Sequence, residues 1–184
     1  MKNKILWITQ TAAMLALLIA LQWATSYIPK PAGQFVTGSL VNAVLGVTVL
    51  AAGISSGATV AVLSPIFAFL LNIAPNLVTV PAIMVGNVLF VVTLKLAGGN
   101  AESMWRRVSA LLAAALIKFA ALYTLVVWVI CGVAAEALLA QGLLKKPMLN
   151  VLPATFSAPQ LVTALIGGAV ALVIAPRIRR ALHK

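Results

Sequence analysis

Charge is almost absent from long stretches of this chain, and no other feature narrows the possible folds as far. Six apolar runs, at approximately 5–27, 35–52, 58–71, 77–96, 108–133 and 159–175, follow one another, with Lys and Arg gathered at their ends. Only 8% of the 184 residues are charged and 63% are hydrophobic, whereas a water-soluble domain carries roughly a quarter charged residues. A helix of about 20 apolar residues crosses a hydrocarbon core of about 30 Å. The expected fold class is an all-α membrane protein, a six-transmembrane-helix bundle forming a single integral membrane domain over residues 1–184.

The breaks between the runs carry proline and glycine. Ile28-Pro29-Lys30-Pro31-Ala32-Gly33 reads as a short loop, Gly53-Ile54-Ser55-Ser56-Gly57 as an uncharged turn, and Asn72-Ile73-Ala74-Pro75-Asn76 as a further break, because proline lacks an amide donor and glycine loosens the backbone. Pro65 should kink the third run, and Pro81 is tolerated in the first turn of the fourth. The sixth run is expected to end at Pro176. The longest connection, residues 134–158, lies between the fifth and sixth helices and is expected to face outward as a long loop. Its Leu138-Leu139 and Leu143-Leu144 pairs predict a short helix or lid lying against the protein. Lys2 and Lys4 imitate the start of a signal peptide, but the run behind them continues to Tyr27, longer than a signal peptide's apolar core, which predicts retention as a membrane helix.

Six spans place both termini on one side. Lys2, Lys4, Lys95, Arg106, Arg107, Arg177, Arg179, Arg180 and Lys184 fall on that side and only Lys30, Lys145 and Lys146 on the other, so the positive-inside rule predicts cytoplasmic termini. The net charge of +11 is thus distributed over helix ends and makes no nucleic-acid patch.

What the chain lacks limits its chemistry. Its carboxylate side chains are Glu102 and Glu136, both in connections, its one histidine is His183, and its one cysteine is Cys131 inside an apolar run. These provide no paired carboxylates, metal site or serine with a histidine base within the membrane, so no enzyme activity, metal or covalently bound cofactor is expected. A serine with Lys118 as base lacks a second supporting element. Proton-coupled carriers place Asp, Glu or His within their spans, and none stands there. There is also no GxxxxGK[ST] loop for ATP. Uphill transport would need energy from another subunit.

Neutral polar groups remain, chiefly toward the outer half. Gln34 and Asn42 stand at and just inside the start of the second run, Asn72 and Asn76 at the outer break, and Asn87 near the middle of the fourth run. Tyr123 and Trp128 lie toward the outer end of the fifth run, and Gln160 opens the sixth. Amides donate and accept, and aromatic rings stack, which suits an uncharged or weakly charged heterocycle; the same amides could equally join helices. Lys118 is the one charge well inside a run. An ammonium in lipid costs about 3 kcal/mol on insertion scales, so it must meet a substrate carboxylate or phosphate, cap carbonyls between helices, or snorkel to the headgroups. In the first run, Ala12, Ala16, Ala20 and Ala24 recur every four residues, a narrow strip along which another helix can lie close. Ala24, nearest the outer loop, is expected to pack within the bundle.

The length, the six runs, the basic inner ends, the Ala12-x-x-x-Ala16-x-x-x-Ala20 strip and the long outward connection together resemble the substrate-binding S component of an energy-coupling factor (ECF) vitamin transporter. The segments Gly33-Gln34-Phe35-Val36-Thr37-Gly38-Ser39-Leu40-Val41-Asn42 and Pro159-Gln160-Leu161-Val162-Thr163-Ala164-Leu165-Ile166-Gly167-Gly168 are similar to those of uncharacterised members. The ligand motifs of the thiamine, riboflavin and biotin members are not found. The resemblance implies a bacterial-type cytoplasmic membrane and high-affinity binding of a vitamin or vitamin precursor from outside. It further implies docking through Ala12, Ala16 and Ala20 on a T subunit, with ATP bound only by two cytoplasmic ATPase subunits. By position it assigns Gln34, Asn42, Asn72, Asn76, Trp128 and Gln160 to the neighbourhood of the pocket. Two other readings remain open. One is a homo-oligomeric passive facilitator or channel in which the strip joins copies; the other is a non-transporting membrane assembly factor.

Overall fold

A computed structural model describes residues 2–29, 31–74 and 76–182; Lys30, Pro75, His183 and Lys184, and the side chain of Lys2, lie outside the described residues, and with them part of the charge count. Among the described residues all regular structure is helical: α1 (Lys2–Thr25), α2 (Ala32–Ala52), α3 (Ile54–Leu70), α4 (Val80–Leu96), α5 (Met104–Leu122), α6 (Ala135–Ala140), α7 (Met148–Phe156) and α8 (Ala158–Leu182). A 3-10 turn, Leu77–Thr79, leads into α4, and α5 continues as a π-helical stretch, Tyr123–Val133. Five helical stretches are long and apolar enough to cross a membrane: Lys4–Thr25, Ala32–Ala52, Leu77–Leu96, Met104–Val133 and Met148–Arg180. They make the chain a multi-pass membrane protein. The sixth apolar helix, α3, is shorter at 17 residues.

Three connections differ from expectation. The five-residue turn expected at 53–57 is a single residue. Gly53 has φ 94° and the next helix begins at Ile54; only a residue without Cβ reverses the chain there at low cost. The sixth helix does not stop at Pro176 but runs through it to Leu182. The long connection is not an open loop. It contains α6 and α7, and α7 is separated from α8 only by Ser157, whose φ and ψ of −102° and −126° are non-helical.

Lipid tails are as apolar as leucine, so helices associate here by close packing and hydrogen bonds rather than by a hydrophobic gradient. The sequence supplies small residues where this is needed. A Cβ at Gly167 of α8 would stand 2.2 Å from the Ser39 carbonyl oxygen and 2.6 Å from Asn42 Cβ of α2, so the two backbones touch. Ala110 and Ala114 of α5 and Ala171 and Ala175 of α8 repeat the spacing of the α1 strip but are buried between helices. The main core includes Leu18, Leu45, Val49, Val60, Phe90, Leu94 and Leu172. A second cluster, including Leu122, Val126, Leu144, Leu152 and Phe156, seals α7 and the end of α6 against the π-helical stretch.

Candidate functional site

The ends of α1 and α3 and the beginnings of α2, α4 and α8 meet at one end of the bundle, with α7 laid across them. They line a half-open cavity of about 300 Å³. Its depth reaches Asn42, Asn87 and Lys118, and beyond these Phe90, Leu45 and Leu94 are fully buried. The cavity therefore has a packed floor.

Lys118 forms that floor's polar centre. Its side chain is 3% exposed; Nζ donates to Asn42 Oδ1 at 2.6 Å and to Asn87 Oδ1 at 2.7 Å, and stands 5.5 Å from the centre of the Phe90 ring. The ammonium is thus turned into the bundle and does not snorkel. Asn42 is in turn fixed by its own amide, which donates to the Gly38 carbonyl at 2.9 Å. That bond is why Asn42 aims its oxygen at Lys118. An ammonium has three N–H donors, and two are used by the asparagines. Glu102 and Glu136, the chain's two carboxylate side chains, are exposed and do not line the cavity. Among the described residues Lys118 is the one basic side chain lining the cavity, held by amide oxygens and by no carboxylate.

At the mouth, Gln34 and Gln160 both donate to the Thr155 carbonyl, at 3.1 and 3.2 Å. These two bonds clasp the end of α7 to α2 and α8. Thr37 Oγ1 donates to Thr25 Oγ1 at 2.7 Å and ties α2 to α1 beside them. Asn72 stands at the rim because it ends α3. Its φ is 58°, and the amides of Asn72 and Ile73 donate to the carbonyls of Phe69 and Ala68 at 2.9 and 2.8 Å. That pattern closes a helix through a left-handed residue, a place asparagine takes readily when glycine is not there.

Six of the nine candidate binding residues line this cavity: Gln34, Asn42, Asn72, Asn87, Lys118 and Gln160. The structure does not bring the other three to it. Asn76 caps the 3-10 turn, accepting from the Val78 amide at 3.0 Å and donating to the Leu143 carbonyl at 2.9 Å. Tyr123 is 45% exposed, with its ring 5.9 Å from that of Phe119, and Trp128 is 65% exposed; both stand on the outer face of the bundle.

Several polar lining residues escaped the sequence reading, Gln22 and Ser64 among them. Gln22 and Ser64 are 8% and 1% exposed, yet Gln22 Oε1 and Ser64 Oγ have no hydrogen-bond partner among the described residues. Helical hydroxyls elsewhere in the chain return to the carbonyl four residues back, as Thr48 does to Val44 at 2.6 Å and Thr59 to Ser55 at 2.9 Å. Ser64 does not.

On α1, Ala12, Ala16 and Ala20 are exposed and form an uncovered strip. Ala24 is exposed as well, so it does not pack within the bundle as expected. Thr11 and Trp7 on another side of the helix hold it to α3, through Ser56 at 2.9 Å and Ser55 at 3.1 Å.

The fold and site define a multi-pass helical membrane protein with a one-ended cavity built around the buried Lys118 side chain. No protein-family model, curated protein or solved structure matches the chain.

Proposed function

We propose that this chain is the substrate-binding subunit of an importer of the energy-coupling factor type, taking up a vitamin or cofactor precursor. The observation that carries the reading is the cavity itself. It is half open, of a size at the small end of ligand pockets, lined by amides around the Lys118 ammonium, and closed at its floor. A floor of packed side chains suits a binder that hands its ligand on better than a channel.

In this reading α3 counts as a sixth span. At 1.5 Å per residue it is about 25 Å long, enough for most of a hydrocarbon core. Both termini then lie at the end away from the cavity, which the positive-inside rule makes cytoplasmic, and the cavity opens outward. No lining residue offers proton coupling and the chain has no ATP-binding loop, so release would be driven through partners. The uncovered strip of Ala12, Ala16 and Ala20 is where a T subunit carrying two ATPases would dock.

Uptake in cells with and without such a coupling module, alongside retention of a copurified small molecule, tests this. Replacing Ala16 with Trp should leave retention intact and abolish uptake; equal loss of both rejects the docking role. Flux into liposomes by the chain alone would replace the importer reading with that of a facilitator. Absence of any small ligand would favour an assembly factor.

A further inference from the structure

We infer that the cavity selects a small organic monoanion, a carboxylate that also carries at least one N–H or O–H group on a largely apolar body. The inference rests on the reading of the cavity as a ligand site and adds the chemistry of what occupies it.

The charge comes from the floor. Among the described residues Lys118 is the one charged residue lining the cavity, and it is held by two amide oxygens and by no carboxylate. Amide dipoles satisfy two N–H bonds but leave the net charge in place, and an uncompensated charge in a low-dielectric site is costly. One added negative charge removes that cost. Among the described residues no second cation lines the cavity, so a dianion such as a phosphate monoester would leave a net negative charge beside Lys118. The donors also match a carboxylate. Asn87 gives its oxygen to Lys118 at 2.7 Å, so its N–H₂ stands on the same carboxamide beside the ammonium. The third N–H of Lys118 and the amide of Asn87 form a pair of adjacent donors for two carboxylate oxygens.

The second requirement comes from α1 and α3. Gln22 Oε1 and Ser64 Oγ are buried without partners, and a buried polar atom left unpaired costs about as much as a lost hydrogen bond. Both residues line the cavity. Turned toward an occupant, the Gln22 oxygen would accept an N–H or O–H from it, and the Ser64 hydroxyl would donate or accept. Between floor and wall the lining is apolar, with Val41, Ala68, Ile73, Ile83 and Phe156, which an uncharged body would fill.

The test uses the full chain in detergent, freed of bound molecules and then equilibrated with a total small-molecule extract of the expression host. Whatever is retained is identified by native and tandem mass spectrometry. The expected result is a monocarboxylic acid, recognised by loss of carbon dioxide on fragmentation, that the Lys118→Met variant does not retain. Its carboxamide analogue should bind roughly 10- to 100-fold more weakly, the range for losing a hydrogen bond made to a charged group. Lys118→Met could lose retention by misfolding, so Ser64→Ala is the second variant. Ser64 Oγ has no partner among the described residues, so its loss should leave thermal stability unchanged and weaken retention about fivefold or more. A retained molecule that is neutral or dianionic overturns the inference and leaves the ligand-site reading standing. No retained molecule at all overturns both.

Discussion

Replacing Asn87 with Leu isolates what holds Lys118 in place. Leucine keeps the branch at Cγ and is larger than asparagine, so no cavity is created, but the ammonium loses one of its two acceptors, the one at 2.7 Å. A hydrogen bond to a charged group contributes about 1.5–3 kcal/mol, and a chain of this length shifts its melting temperature by roughly 2–4 °C per kcal/mol. Asn87→Leu should therefore lower the melting temperature of the ligand-free protein by about 3–12 °C. The decisive measurement is a double-mutant cycle with Lys118→Met, followed by fluorescence-detected size exclusion after heating. Once the charge is gone, Asn87→Leu has no ammonium left to abandon, so the double variant should be no less stable than Lys118→Met alone. Effects that add to within about 0.5 kcal/mol would mean that the two residues do not interact energetically, and the account of the cavity floor would be wrong.

Removing the clasp, by changing Gln34 or Gln160 to Leu, should speed release of a retained molecule about fivefold per amide, as expected for about 1 kcal/mol each; stopped-flow dissociation reads it, and unchanged rates would free α7 of any role over the mouth. Gly167→Val should destabilise the bundle strongly, since even a Cβ there stands 2.2 Å from the Ser39 carbonyl oxygen and overpacking typically costs about 1–3 kcal/mol. Wild-type melting behaviour would show that α2 and α8 are further apart than described. Trp128→Ala should leave retention unaltered, because the ring is 65% exposed on the outer face; lost retention would move the site.

The helices were legible because charge and proline punctuate them. The third to fifth runs begin and end within about four residues of the observed helical stretches. Their rotation was not legible. In a soluble helix the polar side announces itself, but here lipid and core both want apolar side chains, so nothing in the alternation around Gln22 or Ser64 says which way it faces. Lys118 was the exception, since a charge in a run must face inward or reach an interface. Asn72 and Asn76 look alike in sequence, four residues apart in one break. Only the backbone separates them, one ending α3 at φ 58° and the other capping the turn that starts α4. The helices in the long connection were half legible. The leucine pairs marked an apolar surface, but Met148–Phe156 gained its helical form by packing Leu152 and Phe156 against the π-helical stretch, a partner more than twenty residues away.

The one-residue joint at Gly53 has a mechanical consequence. α2 carries Gln34 and Asn42, α3 carries Ser64 and ends at the Asn72 rim, and between these two rods there is no slack. Joined at the end far from the cavity, they behave like the arms of tweezers. The gap between Asn42 and Ser64 is set by the angle the two helices take from Gly53 onward, where a Cβ at Gly57 would stand only 2.8 Å from Val49 Cβ. The width of the cavity is thus tied to one glycine at the opposite end of the bundle.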